Sequence, residues 1–506
     1  MSDVIDDVTI VGGGDAGLLT GLALRQLNPG LDISVVDDFG QEVPQVGKST
    51  YVAIFGLLHD SLDIDEQRFV SEVKPVWKAT VYFEDWCDSE PFHYPFDVGD
   101  KFPAGDTPDA VESSYHFYEN LYDSPDHRTK CEEIVEQGKS PWFYSVQNGG
   151  TFKYNNVAYH LNTGRFNSFL RELCLERDVS LVDDEITTVD TANGRIERVR
   201  SRSQAYESDL FVDASGFTRA LKDELDDEFN DFALPLDTAF NVRVDHTLDD
   251  IVPATVVETG DHGWFWQIDT YDNRDRGYVF ASDYVDDETA LAEFLDEVEG
   301  DVDPEDVARY EFTSGYYEHP WQENLVTIGN AVGFVEPLQS TGLTANLQAA
   351  MTLSNLLSGR GRVADDTIRT DFNKWVRREW ESIYDFIAVH YRYGSGETAF
   401  WEDVTSMDVS PRVEHLEERF DTAGFDTSVD PTRNESDVED LLVFRPRNFY
   451  LIMRSMGATS EFYEEHEFEV SDEVRREEDE FYRDAAEEVE DYYTIREMYK
   501  AVLGTP

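Results

Sequence analysis

Val8-Thr-Ile-Val-Gly-Gly-Gly-Asp-Ala-Gly-Leu-Leu-Thr-Gly-Leu-Ala-Leu24 decides the fold. A short β-branched run ends in Gly12, Gly14 and Gly17, and a helical pattern begins at once. Strand, tight turn and helix in immediate succession form the context that a dinucleotide fingerprint requires. Gly12 permits the turn, Gly14 lets a pyrophosphate approach the backbone, and Gly17 lets the helix pack on the strand. Ala16 belongs to the same cofactor-facing set. The helix N-terminus offers free N–H groups and a positive dipole end to the phosphates. A second strand, Ile33-Ser-Val-Val36, ends at Asp37, 20 residues past Gly17. That carboxylate can accept a hydrogen bond from a ribose 2′-OH, so FAD or NAD fits better than NADP. The bland alternative is a glycine-rich turn with no ligand.

Length and charge set the class. At 506 residues the chain exceeds one core and predicts two or more domains. It carries 41 Lys+Arg against 107 Asp+Glu, a net charge of −66, and only ten of its cations are lysine. Such self-repulsion opposes compaction unless salt screens it. A 40% hydrophobic and 13% aromatic content nevertheless argues for a folded core. An acidic, lysine-poor globular chain suits a high-salt cytoplasm, and the charge argues against nucleic acid or an anionic membrane as partner. Cys87, Cys131 and Cys174 are far apart and form no CxxC, so they read as buried or free thiols in a reducing compartment, with no metal site expected. No basic segment precedes an apolar one near the start, and no apolar run reaches about 18 residues. A signal peptide and a transmembrane helix are therefore not expected, and the expected location is cytoplasmic.

Further along, Gly47-Lys-Ser-Thr50 resembles the end of a phosphate-binding P-loop, but Glu42 stands where the earlier glycine belongs. Val76-Trp-Lys78-Ala-Thr-Val-Tyr-Phe83 reads as a strand with a lysine inside an apolar run. Either Lys78 snorkels to water from an edge strand, or it is a desolvated, reactive group. Residues 88–150 show little periodicity and predict an irregular insertion that lines a substrate site. Leu181-Val182 and Arg195 to Ser201 predict strands of a meander. Asp209-Leu-Phe-Val-Asp213-Ala-Ser-Gly216 predicts a buried strand and a small-residue turn beside the dinucleotide. Trp264 and Trp266, spaced by two, share a strand face, where ordinary core packing is the simplest reading. Gly333-Phe-Val-Glu-Pro337-Leu-Gln339-Ser340-Thr341-Gly342-Leu343 runs into a helix from about Thr344 to Leu357. Its Ser-Thr-Gly turn can hold an anion or a flavin ring edge with backbone N–H groups, or simply cap the helix. From 369 on, helices dominate: Asp371 to Tyr391, 448–457 and 472–502, with an acidic, loop-rich stretch at 407–440.

Several of these stretches together resemble the flavin-dependent tryptophan halogenase family. They are the Gly12–Gly17 fingerprint, Gly47-Lys-Ser-Thr50, the Lys78 strand, Ala158-Tyr-His-Leu-Asn162, Asp213-Ala-Ser-Gly216 and Trp264-Phe-Trp-Gln-Ile268. Pro320-Trp-Gln-Glu-Asn324, the 333–342 loop, Asp385 to Tyr391 and Thr398 to Trp401 complete the set, in family order over roughly residues 5–460. The resemblance implies an α/β fold. A Rossmann-like FAD-binding module of the flavoprotein monooxygenase type carries a mixed-sheet substrate region and a helical C-terminal part. The expected division is a flavoprotein module over 1–370, with substrate-face segments at about 88–150 and 235–320, and a helical substrate cap over 371–506.

The resemblance also implies the chemistry. A separate flavin reductase supplies reduced FAD, which with O₂ oxidises chloride or bromide to hypohalous acid, and a small aromatic substrate, indolic or phenolic, is halogenated. Lys78 would hold the halogen, and Gln339 occupies the family's second catalytic position. Ser340, Thr341 and Gly342 would line the halide site. Gly12, Gly14, Ala16, Gly17, Asp37, Ser49, Thr50, Asp213, Gly216, Gly333, Pro337, Gly342 and Leu343 would hold the cofactor. Trp264 and Trp266 would obstruct substrate approach to the flavin. A homodimer is a further expectation. Three departures stand out. Gln339 replaces a glutamate that can take a proton, which counts against free tryptophan as substrate. Asp269 replaces a signature proline, and Lys48 replaces an acid near the flavin. Two alternatives stay open: a related monooxygenase or geranylgeranyl-reductase-like enzyme, and a flavin-binding protein that has lost catalysis.

Overall fold

A computed structural model describes residues 3–41, 46–87, 91–97, 127–298, 300, 302–424, 443–465 and 471–504. The chain forms two compact units. The first comprises Met1–Lys74, Leu161–Ala233 and Phe312–Tyr384; the second comprises Pro75–His160, Leu234–Glu311 and Asp385–Pro506.

The first unit is built on a six-stranded sheet in the order Ser180–Asp183, Asp32–Asp37, Asp7–Val11, Leu210–Asp213, Leu325–Thr327, Trp321–Gln322. The first five strands are parallel, and the last is antiparallel. Parallel strands are covered on both faces by their crossovers, so they read as continuous apolar runs. Val8, Ile10, Val11, Ile33, Val35 and Val36 are accordingly all buried. The helix Asp15–Leu27 connects Asp7–Val11 to Asp32–Asp37 and buries Leu18, Leu19, Leu22 and Leu24. Strand order reverses between Asp7–Val11 and Leu210–Asp213, which makes their carboxyl ends the switch point where doubly wound sheets bind ligands.

Leu181-Val182 differs from its expected place in a meander: it joins the main sheet, Leu181 opposite Val35. The helix Thr163–Glu176 supplies the crossover that a parallel pairing needs. The meander itself is Ile186–Ala192, Arg195–Ser201 and Ala205–Tyr206. The helices Gly342–Gly359 and Asp366–Arg392 enlarge the expected spans by a turn or less at most ends.

The second unit holds a seven-stranded sheet in the order Ala308–Glu311, Thr238–Val244, Arg274–Phe280, Gly263–Asp269, Ala254–Gly260, Thr80–Glu84, Phe92–Pro95. Only Ala254–Gly260 with Thr80–Glu84 is parallel. One face, with Phe240, Phe265, Tyr278 and Phe280, packs on Phe294 of the helix Asp287–Glu297. Trp264 and Trp266 flank Phe265 and point to the opposite face, as the period of two requires.

Local signals explain three differences here. Within 88–150, the segments Phe92–Pro95, Lys130–Glu136 and Lys139–Ser145 are regular, while 98–126 lie outside the described residues. A Thr129/Glu132 capping box starts that helix. Within 407–440, Ser410 caps a helix Pro411–Ala423 with proline at its first position, and 425–442 lie outside the described residues. The expected final helix over 472–502 is two helices, Asp472–Glu490 and Ile495–Leu503. Between them Tyr492–Thr494 pairs with Lys139–Ser145, because Tyr-Tyr-Thr favours a strand and Thr494 caps the second helix with Glu497. The three cysteines are buried, and among the described residues they form no disulfide. Among the described residues no helix is long and apolar enough to cross a membrane.

Candidate active site

The glycine loop of the first unit is shaped by collisions that only glycine avoids. Gly12 has φ +108°, and a Cβ there would stand 2.3 Å from the Ala214 carbonyl oxygen. A Cβ on Gly17 would stand 1.9 Å from the Gly12 oxygen. These two glycines therefore close the turn and seat the helix. Gly14 is different: a Cβ there would meet nothing within 4 Å. The open space lies at the N-cap of the helix Asp15–Leu27, where no side chain caps the first N–H groups. Asp37 sits beside the loop, with one oxygen accepting from Gly13 N at 2.7 Å and the other from Asp38 N at 3.0 Å. Each carboxylate oxygen keeps a second acceptor direction that a ribose hydroxyl can use.

Two further turns close on the loop. Asp213 is fully buried, and it anchors its own turn: one oxygen accepts from Ser215 N and Oγ, the other from Leu221 N and Lys222 N, at 2.6–3.0 Å. Its carboxylate thus shapes the backbone at Ala214–Gly216, where Gly216 has φ +67°. Gly329, with φ +74°, comes so near the helix that its Cβ would be 3.0 Å from Ala16, which explains the small residue at that position. Gly333 is explained by packing, since its Cβ would approach Tyr316 Cβ at 2.9 Å.

The second helix N-terminus, at Gly342–Gly359, repeats the features of the first. Thr341 makes no side-chain cap bond, and a Cβ on Gly342 would meet nothing within 4 Å. Simple capping by Thr341 is thereby set aside. Helices elsewhere carry caps, from Asp65, Asn162, Asp286 and Ser410 among others. Before this helix, Gln339 (φ 65°) and Ser340 (φ 58°) are both left-handed, a strained arrangement for two non-glycine residues and one that clusters at ligand sites. Gln339 and Thr341 are buried. Pro337 sets the preceding turn with φ −72°, and Leu343 is buried. Ser49 lies on the short strand Lys48–Ser49, and Thr50 is fully buried. Two open, uncapped helix starts and three turns converging at the switch point fit the pyrophosphate and ring of a dinucleotide cofactor.

The second unit carries Lys78. It ends the strand Val76–Lys78, opposite Ala158 of Ala158–Leu161. Its relative exposure is 0%, so the snorkelling alternative fails. Burial pushes its pKa well below the ordinary lysine range, toward the neutral amine. Nζ lies 5.4 Å from the Phe96 ring centroid. His160, two positions along the same pairing, sits opposite Val76. Burial lowers its pKa to about 3, so it is neutral. Its Nδ1 is 3.0 Å from the Asp269 carbonyl oxygen and its Nε2 2.8 Å from Thr255 Oγ1. A carbonyl only accepts, so Nδ1 carries the proton and Nε2 accepts from the threonine.

Asp269, which stands in place of the signature proline, is a buried anchor: its carboxylate accepts from Arg274 Nε at 2.7 Å and from Val252 N at 2.8 Å. Trp264 and Trp266 are buried with ring centroids 5.9 Å apart. Gly277 makes room for Trp266, since a Cβ there would stand 1.9 Å from the indole. Trp86 meets Trp264 and Trp401 edge-on and donates to the His390 carbonyl.

Sequence reading singled out Lys78, the tryptophans and the glycine loop, and did not single out His160, the polar group of the partner strand. Strand register is the only signal that links it to Lys78. The ion pair of Lys48 Nζ with Asp15 Oδ1 at 3.2 Å was also missed, because it joins a helix start to a separate strand.

A tryptophan halogenase family model matches residues 7–471. KtzR of Kutzneria sp. (strain 744), a 7-chloro-L-tryptophan 6-halogenase, is 28% identical over 445 residues, 82% of this chain and 84% of its own. RebH of Lentzea aerocolonigenes, a tryptophan 7-halogenase, is 26% identical over 431 residues, 79% of each chain. The crystal structure of MibH, a lanthipeptide tryptophan 5-halogenase, superposes with a TM-score of 0.84 at 25% identity, covering 99% of this chain and 94% of that one. With the glycine cradle, the buried lysine and the paired tryptophans in place, the chain belongs to the tryptophan halogenase family of flavin-dependent enzymes.

Proposed function

We propose that this enzyme halogenates an electron-rich aromatic ring, indolic or phenolic, with Lys78 as the residue that holds the halogen. The observation that carries the reading is the fully buried lysine whose pKa burial drives down. Bound in reduced form, FAD with O₂ supplies the oxidation of chloride or bromide to hypohalous acid, and a separate flavin reductase renews it. Gly12, Gly14, Ala16 and Gly17 hold the pyrophosphate in this reading, and Asp37 the ribose. Ser49, Thr50, the Asp213–Gly216 turn, Gly333, Pro337, Gly342 and Leu343 hold the rest of the cofactor. Ser340, Thr341 and Gly342 offer backbone N–H groups to the halide.

As a neutral amine, Lys78 Nζ attacks the halogen of hypohalous acid. An N–halogen bond forms, the O–halogen bond breaks, and the departing hydroxide takes an amine proton to become water. The halogen then passes to a ring carbon as the N–halogen bond breaks, and the proton that this carbon loses returns to the Lys78 nitrogen, which restores the amine. Gln339 can hydrogen-bond but cannot accept that proton, which favours a substrate other than free tryptophan. Three buried cysteines in thiol form and the −66 charge support a reducing, high-salt cytoplasm as its compartment.

The test uses protein in molar KCl with FAD, a flavin reductase, NADH, O₂ and an electron-rich trap, read by the halogen isotope pattern in mass spectrometry. Wild type should yield halogenated trap, and Lys78→Ala about 100-fold less. Equal product from both would remove the role given to Lys78. No halogenated trap, with FAD bound and oxidised, would turn the reading to a hydroxylase.

A further inference from the structure

Asp15 occupies the first helical position after Gly14, at the open end of the dinucleotide helix. A carboxylate there suits the helix dipole but repels the anion that the same N–H groups attract. Asp37 brings a second carboxylate to the loop through its bond to Gly13 N. The chain nonetheless keeps this arrangement and sets Lys48 against it, with Nζ 3.2 Å from Asp15 Oδ1. The side chains are only 28% and 18% exposed, so solvent screens the pair incompletely. Lys48 is one of only ten lysines in a chain with 107 acids. Lys48 does not open a helix, as the lysine of a P-loop does: Lys48–Ser49 is a two-residue strand.

We propose that Lys48 is a cofactor-positioning residue that acts through Asp15. It neutralises the carboxylate at the helix start, so that a pyrophosphate-bearing ligand can seat at Gly14. This inference rests on the FAD reading above.

The test measures the Kd of oxidised FAD by flavin fluorescence, and of ADP by calorimetry, in wild type, Lys48→Met, Lys48→Arg, Asp15→Asn and the Asp15→Asn/Lys48→Met double variant. Far-UV circular dichroism confirms folding. Lys48→Met should weaken FAD about tenfold, the scale of one uncovered like charge in a half-buried site. ADP, which has the pyrophosphate without the flavin ring, should lose the same factor. Lys48→Arg keeps the charge and should bind as wild type. Asp15→Asn should bind at least as tightly as wild type, and the double variant should match Asp15→Asn. If Lys48→Met does not fold, that last comparison carries the test. Unchanged binding by Lys48→Met, or an equal loss in both Asp15 backgrounds, would overturn the role of Lys48. Failure of wild type to bind FAD would instead overturn the FAD reading.

Discussion

Burial moves Lys78 and Glu132 toward neutrality from opposite charges. Glu132 is buried in the second unit, and desolvation lifts its pKa to about 8. Nearby, Asp97 accepts from Cys131 N at 3.1 Å and from the Tyr154 hydroxyl at 3.0 Å, and its pKa is also raised by burial. With an ordinary carboxyl in the unfolded chain, the folded protein keeps a proton that the unfolded one loses between about pH 4.5 and 8. Stability from this group is therefore present below that window and declines as pH rises through it. Glu132→Gln keeps an oxygen for the Thr129 backbone N–H. The variant should match wild type near pH 4.5 and exceed it at pH 8 by on the order of 4 kcal/mol. Urea midpoints at constant KCl check this, and an equal difference at both pH values would reject it. His160 and His390 act on the acid side, each held neutral by burial with a pKa of about 3. Their contribution is present above about pH 6.5 and lost as pH falls toward 3.

Glycines separate structural from ligand-facing roles among the elements. Gly277 lies opposite Trp266 in the sheet, and its missing Cβ makes room for the indole. Gly277→Ala should destabilise the second unit by about 1–3 kcal/mol, the range for overpacking a core, seen as a lower melting temperature. Gly14 has φ −76° and open space around it. Gly14→Ala should leave the melting temperature unchanged while weakening FAD binding about tenfold, because the added methyl group occupies the phosphate approach. Equal loss of stability in both variants would contradict the distinction. At this scale the sequence was readable wherever turn chemistry is local. Ser410-Pro411 and Thr494-x-x-Glu497 announce helix starts that a search for apolar periodicity passes over. Leu181-Val182 was misassigned because partner choice between strands is set by the crossover helix, which no two-residue pattern reveals.

Across the whole molecule, a net charge of −66 must be held within two compact units. Ion pairs such as Arg68–Glu176 and Arg496–Asp249 are exposed and engage only a small part of the acids. Such pairs contribute little each, so the remaining repulsion is opposed chiefly by salt. The melting temperature should rise by roughly 10 °C or more between 0.2 and 3 M KCl, since the Debye length falls to about 3 Å at 1 M. Thermal unfolding at several salt concentrations checks this, and a constant value would remove the high-salt reading.

By itself the sequence determined the dinucleotide fingerprint, set by glycines at fixed short spacing between a strand and a helix, and singled out a lysine in an apolar run. The family came from the resemblance of many separated stretches taken together, no one of which carries it alone. Only the tertiary structure decided that Lys78 is wholly buried, that His160 shares its strand pairing, that Asp269 is ion-paired and that Lys48 faces Asp15. Those properties depend on which distant segments meet, and solvent exclusion and charge pairing arise only once they have met.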